Sequence, residues 1–230
     1  MGEIRIIPLT GIPDVRSGDD LPALLGDAIE RAGTLEQGDV VVLAQKVVSK
    51  AEGRVEQTDD VLAVVLREAR AVRRHRGDLV IAETEHGFVC ASTGVDRSNT
   101  PGEGWVVLLP HDPDASAAGV RAALEERFGV SPAVIVSDSF GRAWRDGTTD
   151  VAIGVAGMKP LLDLRGTEDA GGYELSATVI AVADELAGAA ELVMGKANKI
   201  PAALVRGYQV PEGEGSAREL VIPPERDLFP

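Results

Sequence analysis

Apolar and polar residues change their spacing several times along this chain, and each change marks an element. Their order predicts a strand over residues 4–8 and then a Gly/Pro/Asp-rich loop to residue 20. Apolar positions recur at helical spacing over 21–31. The β-branched run at 39–44 reads as a buried strand, with residues 47–49 as its continuation. A helix is predicted over 59–75, with Thr58 or Asp59 as its cap. Short strands follow at 79–83, 88–93 and 105–109, the first two joined as a hairpin through a turn containing Gly87. A helix over 114–128 stops at Gly129, the residue type that favours a helix end. Strands at 133–137 and 150–156, the longest helix over 176–194 and a late strand at 202–206 complete the series. Hairpins and helices are mixed without strict alternation. The expected fold class is therefore α+β, with mixed and antiparallel sheets and packed helices, rather than a Rossmann or P-loop arrangement.

Composition narrows the function classes. At 230 residues, 44% hydrophobic and 26% charged, the chain suits a globular fold with a sizeable core. Aromatic residues make up only 3%, so that core is built from Val, Ala, Leu and Ile. The net charge of −14 makes the chain a poor neutraliser of a phosphate backbone, and duplex nucleic acid is not an expected partner. The same charge means that an anionic ligand needs local basic residues or metal ions to be held. No apolar run approaches the ~20 residues of a membrane span. The first residues, MGEIRIIPLTGIP, lack the basic and apolar regions of a signal peptide. A cytoplasmic protein with no membrane partner is the expectation. The single cysteine, Cys90, excludes an internal disulfide framework.

Several familiar signatures are missing: G-x-x-x-x-G-K-[ST], G-x-G-x-x-G after a strand, G-x-S-x-G and H-E-x-x-H. Three other segments combine glycine, hard oxygen donors and isolated basic residues, a mixture suited to metal-bound phosphates. Lys50, beside Gly53 and after a buried strand, is placed to meet a phosphate as a point charge. Asp96 offers a carboxylate, and Asn99 an amide able to read a base edge or a ribose. The richest segment is V-I-V-S-D-S-F-G-R-A-W-R-D-G at 134–147, where an apolar strand delivers Asp138 and Ser139 to its end. Carboxylate and hydroxyl together suit Mg²⁺ or Mn²⁺. Arg142 and Arg145, which follow, have the forked geometry that holds carboxylate or phosphate groups of a substrate. Lys196, at the Gly195 break after the long helix, is a further phosphate contact. Each segment alone also suits an ordinary polar turn. A nucleotide- or metal-binding protein without turnover, and a metal-dependent phosphohydrolase, remain open at this point.

Taken together, V-V-S-K-A-E-G-R at 47–54, G-V-D-R-S-N at 94–99, S-D-S-F-G-R-A-W-R at 137–145 with D-V-A-I-G-V-A-G at 150–157, and A-D-E-L-A…E-L-V-M-G-K at 183–196 resemble the coenzyme F420:L-glutamate ligase family. The likeness runs from residues 7–12 to D-L-F at 227–229. It implies a single ligase domain over 1–230, without the C-terminal nitroreductase-like domain of some relatives, working as a homodimer. It further implies a GTP-dependent reaction that adds L-glutamate to F420-0, or to its dehydro form, through an acyl phosphate, releasing GDP and phosphate. The implied cofactors are two divalent cations, Mn²⁺ or Mg²⁺, and a monovalent ion such as K⁺. By position, Asp96 and Asp138 would hold the first cation and Ser139 would touch the second. Lys50 and Asn99 match nucleotide-contacting positions, as do Leu9, Thr10, Gly11 and Ile12 and the Gln45–Lys46 pair. Residues 194–201, with Met194, Gly195 and Lys196, match a loop that closes over the nucleotide. Some relatives place Gln at position 196 as a ligand of the second cation, a role a lysine ammonium cannot fill.

Overall fold

The computed structural model describes residues 2–228; Phe229, the end of the D-L-F motif, lies outside the described residues. The chain begins with strand β1 (Arg5–Pro8), helix α1 (Leu21–Ala32), strand β2 (Val40–Ala44) and helix α2 (Gln45–Ala51). Next come β3 (Val55–Gln57), α3 (Val61–Glu68), β4 (Ala69–Arg76), β5 (Leu79–Thr84), β6 (Val89–Ala91) and β7 (Trp105–Val107). The last part comprises α4 (Pro113–Phe128), β8 (Ala133–Arg142), β9 (Arg145–Ala156), β10 (Leu162–Asp163), β11 (Val179–Ile180), α5 (Val182–Met194) and β12 (Ala202–Arg206). The architecture is α+β, as the mixed pattern predicts.

A five-stranded mixed sheet, ordered β1-β12-β2-β8-β9, forms the centre. Only β2 and β8 run parallel, in a register that pairs Ala44 with Ser137. Both faces of the sheet are covered, which explains why its strands read as unbroken apolar runs. Val41, Leu43, Val134 and Val136 point to one face and pack with α1 and α4. Val40, Val42, Ala133 and Ile135 point to the other and pack with α5. Helix α4 buries Pro113, Ala117, Val120 and Leu124, a stripe at helical spacing. Asp112 caps it by accepting from Ala115 N at 3.0 Å, and Gly129 ends it in the left-handed region at φ 69°. Gly154 of β9 lets α4 approach, since a Cβ there would lie 2.3 Å from the Pro113 carbonyl oxygen. A smaller lobe contains the β3–β7 pair, the β4-β5-β6 sheet and α3, with Val64, Val65, Val80, Ala82 and Val106 in its own core.

Four elements differ from the sequence expectation. Residues 47–49 belong to helix α2, not to an extension of the strand. The strand ends where Ala44 N bonds the Pro201 carbonyl, and the helix then buries Val47 and Val48 against the core. The segment 59–75 splits into α3, capped by Asp60 rather than Thr58 or Asp59, and β4. Helix-forming residues continue past 68, but the two-residue turn Gly77–Asp78 folds β4 back onto β5 and the pairing overrides propensity. Along β4, Arg70 and Arg73 pair with Glu83, and charge on an edge strand guards against edge-to-edge association. Helix α5 starts at Val182, because β-branched Val179 and Ile180 pair with β10 instead; at 16 residues, α4 is the longest helix. Strand β9 begins at Arg145, before the expected 150, as the return arm of a long hairpin with β8.

Candidate active site

The sheet topology brings distant segments to one end. Strand β2 ends beside Ser137 of β8, so the start of α2 lies next to Ser137, Asp138 and Ser139. Strand β12 runs antiparallel to β2, which places residues 195–201 at the same end; Leu9 N bonds the Ala202 carbonyl and brings the chain after β1 there too. Open sheets commonly bind ligands outside the carboxyl ends of their parallel strands. A cleft of about 630 Å³ occupies this place.

Of the residues singled out in the sequence, Ile12, Gln45, Lys46, Lys50, Asn99, Asp138, Ser139, Met194, Gly195 and Lys196 line the cleft. Asp96 stands behind Lys46, whose Nζ lies 2.7 Å from Asp96 Oδ2 and 2.5 Å from Ser98 Oγ. Leu9 is buried in the core, while the Thr10 and Gly11 carbonyls accept from Arg31. Arg142 and Arg145 are exposed at the far end of the β8–β9 hairpin and do not line the cleft; the Arg142 guanidinium donates to the Asp146 carbonyl at 3.1 Å.

The motif at 150–157 contains Asp150, a residue to which the sequence alone assigns no role. Asp150 faces Ser139 across the β8–β9 register and is only 4% exposed. Ser137 Oγ donates to its Oδ2 at 3.0 Å, Ser139 Oγ donates to its Oδ1, and Lys196 Nζ stands 3.4 Å from Oδ1. Lys196 also donates to Ser139 Oγ. The available signal was an aspartate opening an otherwise apolar strand. Asp14 is a second such residue, holding Lys50 Nζ at 2.7 Å from the loop before α1.

The electrostatics are those of carboxylates crowded together and partly offset by lysines. Burial raises the Asp138 carboxyl to about 7, and the charges of Asp150 and Asp96 add to the rise against Ser139 N–H and Lys46. At Asp96 burial pushes upward too, but hydrogen bonds from Lys46 and Ser98 outweigh it and hold the carboxyl below its usual range. Cys90 is pushed up to about 12 by burial and by Asp138, so it is no thiolate nucleophile. Gln45 is 1% exposed; Ser49 Oγ donates to its Oε1 at 2.8 Å, whereas its Nε2 has no partner. A buried amide donor facing a cleft without an acceptor is suited to a bound ligand. Oxygen donors at Asp138 and, once Lys46 moves from its place 2.7 Å from Asp96 to a ligand phosphate, at Asp96 fit a hard divalent cation. Ser139 and Asp150 do not fit one as they stand, because Lys196 already serves both. Among the described residues no three His, Cys, Asp or Glu side chains form a ready cage, so a cation here would draw on ligand phosphates. Among the described residues no helix is long and apolar enough to cross a membrane.

A family model described as F420-0:gamma-glutamyl ligase matches residues 11–207. Coenzyme F420:L-glutamate ligase of Methanopyrus kandleri is 42% identical, over 98% of this chain and 97% of its own length. The protein of the same name from Methanothermobacter thermautotrophicus is 39% identical, covering 98% of both chains. That of Methanocaldococcus jannaschii is 40% identical over 85% of this chain and 86% of its own. With its sheet-end cleft and a likeness that spans almost its full length, this chain belongs to the F420-0:gamma-glutamyl ligase family.

Proposed function

We propose that this protein joins L-glutamate to coenzyme F420-0, using GTP and passing through an acyl phosphate. The observation that carries the reading is the cleft itself, where Lys46, Lys50 and Lys196 stand among Asp138, Ser139 and Asp150 at one sheet end. A carboxylate does not condense with an amine at neutral pH, because oxide is a very poor leaving group. Phosphorylation removes that obstacle. A carboxylate oxygen of F420-0 attacks the γ-phosphorus of GTP and GDP departs. The glutamate amine then attacks the acyl carbon, phosphate leaves, and the amine proton passes to solvent.

The chain's own residues supply binding and charge. Lys50 exchanges Asp14, an exposed partner, for a nucleotide phosphate. Lys46 at the start of α2 is placed to release Asp96 in the same way. The unpartnered Gln45 amide donates to the nucleotide. Asp138 and Asp96 would hold a divalent cation, which when bound neutralises charge on the transferring phosphoryl group.

Mass spectrometry of F420-0 or its dehydro form, incubated with GTP, Mn²⁺ and L-glutamate, tests this. The expected products are F420 species heavier by whole glutamyl units, with sustained release of GDP and phosphate only when F420-0 and glutamate are both present. Phosphate release without glutamate would indicate a phosphohydrolase, and nucleotide binding without turnover a binding protein; either result overturns the proposal.

A further inference from the structure

The acidic groups of the cleft are not equivalent. Asp138 belongs to no ion pair among the described residues, although it faces the cleft between two other carboxylates. Asp150 and Ser139 are already served. Lys196 donates to the Ser139 hydroxyl and lies 3.4 Å from Asp150 Oδ1, and the same aspartate accepts from Ser137 and Ser139. A Mg²⁺ ion needs its ligand oxygens at about 2.1 Å and would press against the ammonium with like charge. One hydroxyl and one carboxylate cannot serve both.

We infer that Lys196 takes the place of a second divalent cation, so that this chain works with one divalent ion, at Asp138 and Asp96, and a lysine ammonium at Ser139 and Asp150. The inference deepens the nucleotide reading above and rests on it for the phosphates. Lys196 reaches the site from residues 195–201, which link α5 to β12 without regular structure, and its side chain is 59% exposed. A charge carried by this segment already stands at Ser139 and Asp150, whereas a second metal ion would have to be captured from solvent. Because the stem is exposed, substitution there leaves the core intact.

The test counts ions rather than turnover. Mn²⁺ bound per chain is measured by equilibrium dialysis with the non-hydrolysable analogue GMPPNP, whose own binding is read separately. Wild type, Lys196→Arg, Lys196→Ala and Lys196→Gln are compared. The expected count is one ion for wild type and Lys196→Arg, and two for Lys196→Ala and Lys196→Gln. Spin-coupled Mn²⁺ signals in electron paramagnetic resonance are expected only in those last two. Two ions in wild type, or the same count in all four proteins, overturns the inference. If GMPPNP binds to none of them, the nucleotide reading falls. The inference falls with it in that case, whereas GMPPNP binding with ion counts that do not differ between wild type and Lys196→Ala overturns the Lys196 assignment alone.

Discussion

The two halves of strand β8 carry one continuous motif yet stand in different environments. The inner half is flanked by β2 as far as Ser137 and by β9 through Asp138 and Ser139, and it opens onto the cleft. The outer half ends in Gly141 and Arg142 at an exposed hairpin tip shared with Arg145. Four residues of strand span about 13 Å, so Asp138 and Arg142 belong to separate surfaces despite their closeness in sequence. Across the sheet the reverse holds. Asp150 is eleven positions from Ser139 but is its register partner. Pairing register, more than proximity along the motif, decides which polar groups share a site.

The comparison is most easily broken at Asp138. Asp138→Asn is expected to lower GDP release driven by F420-0 and glutamate by 10²–10³-fold, the loss typical of removing an electrostatic stabiliser of the transition state. Its thermal melt should stay close to wild type. Near-normal turnover would remove Asp138 from the site. Asp150→Ala tests the other inner group: it leaves the Ser137 hydroxyl without its acceptor, and thermal or denaturant unfolding should show a loss of about 1–3 kcal/mol. An unchanged midpoint would mean that solvent or Lys196 replaces the carboxylate at no cost. Gly154→Ala separates stability from chemistry, because its Cβ would meet the Pro113 carbonyl at 2.3 Å. It should destabilise by about 1–3 kcal/mol while the activity of the folded fraction is kept. The smallest effects belong to the outer half. Arg142→Ala and Arg145→Ala should each change kcat/KM by no more than about twofold, equivalent to ~0.5 kcal/mol. A loss on the scale of Asp138→Asn would show that the hairpin tip does reach the substrate.

Much of this was legible from residue order, and the failures have physical causes. Strand β2 and helix α4 are plain in the sequence because burial on two faces gives a continuous apolar run, and because Gly129 ends a helix. Strand β4 was missed because its arginines and alanines are good helix formers; the hairpin turn Gly77–Asp78 was the overlooked signal. Helix α2 was read as strand because Val47 and Val48 favour strands when taken alone, whereas burial against the core outweighs that preference. In the site, Asp138, Ser139, Lys50 and Gln45 were named in advance and line one cleft. The part played by Asp150 depends on a cross-strand register, and that of Lys196 toward Ser139 on a loop returning from α5. Neither relation is local in sequence.

Under the proposed function, this sheet-end cleft couples nucleotide cleavage to amide formation. The ratio of GDP released to glutamyl residues incorporated, measured in a single reaction with F420-0, GTP, Mn²⁺ and glutamate, tests it most directly. A ratio near unity that vanishes in Asp138→Asn is predicted. GDP release that continues with no glutamyl product would contradict the account.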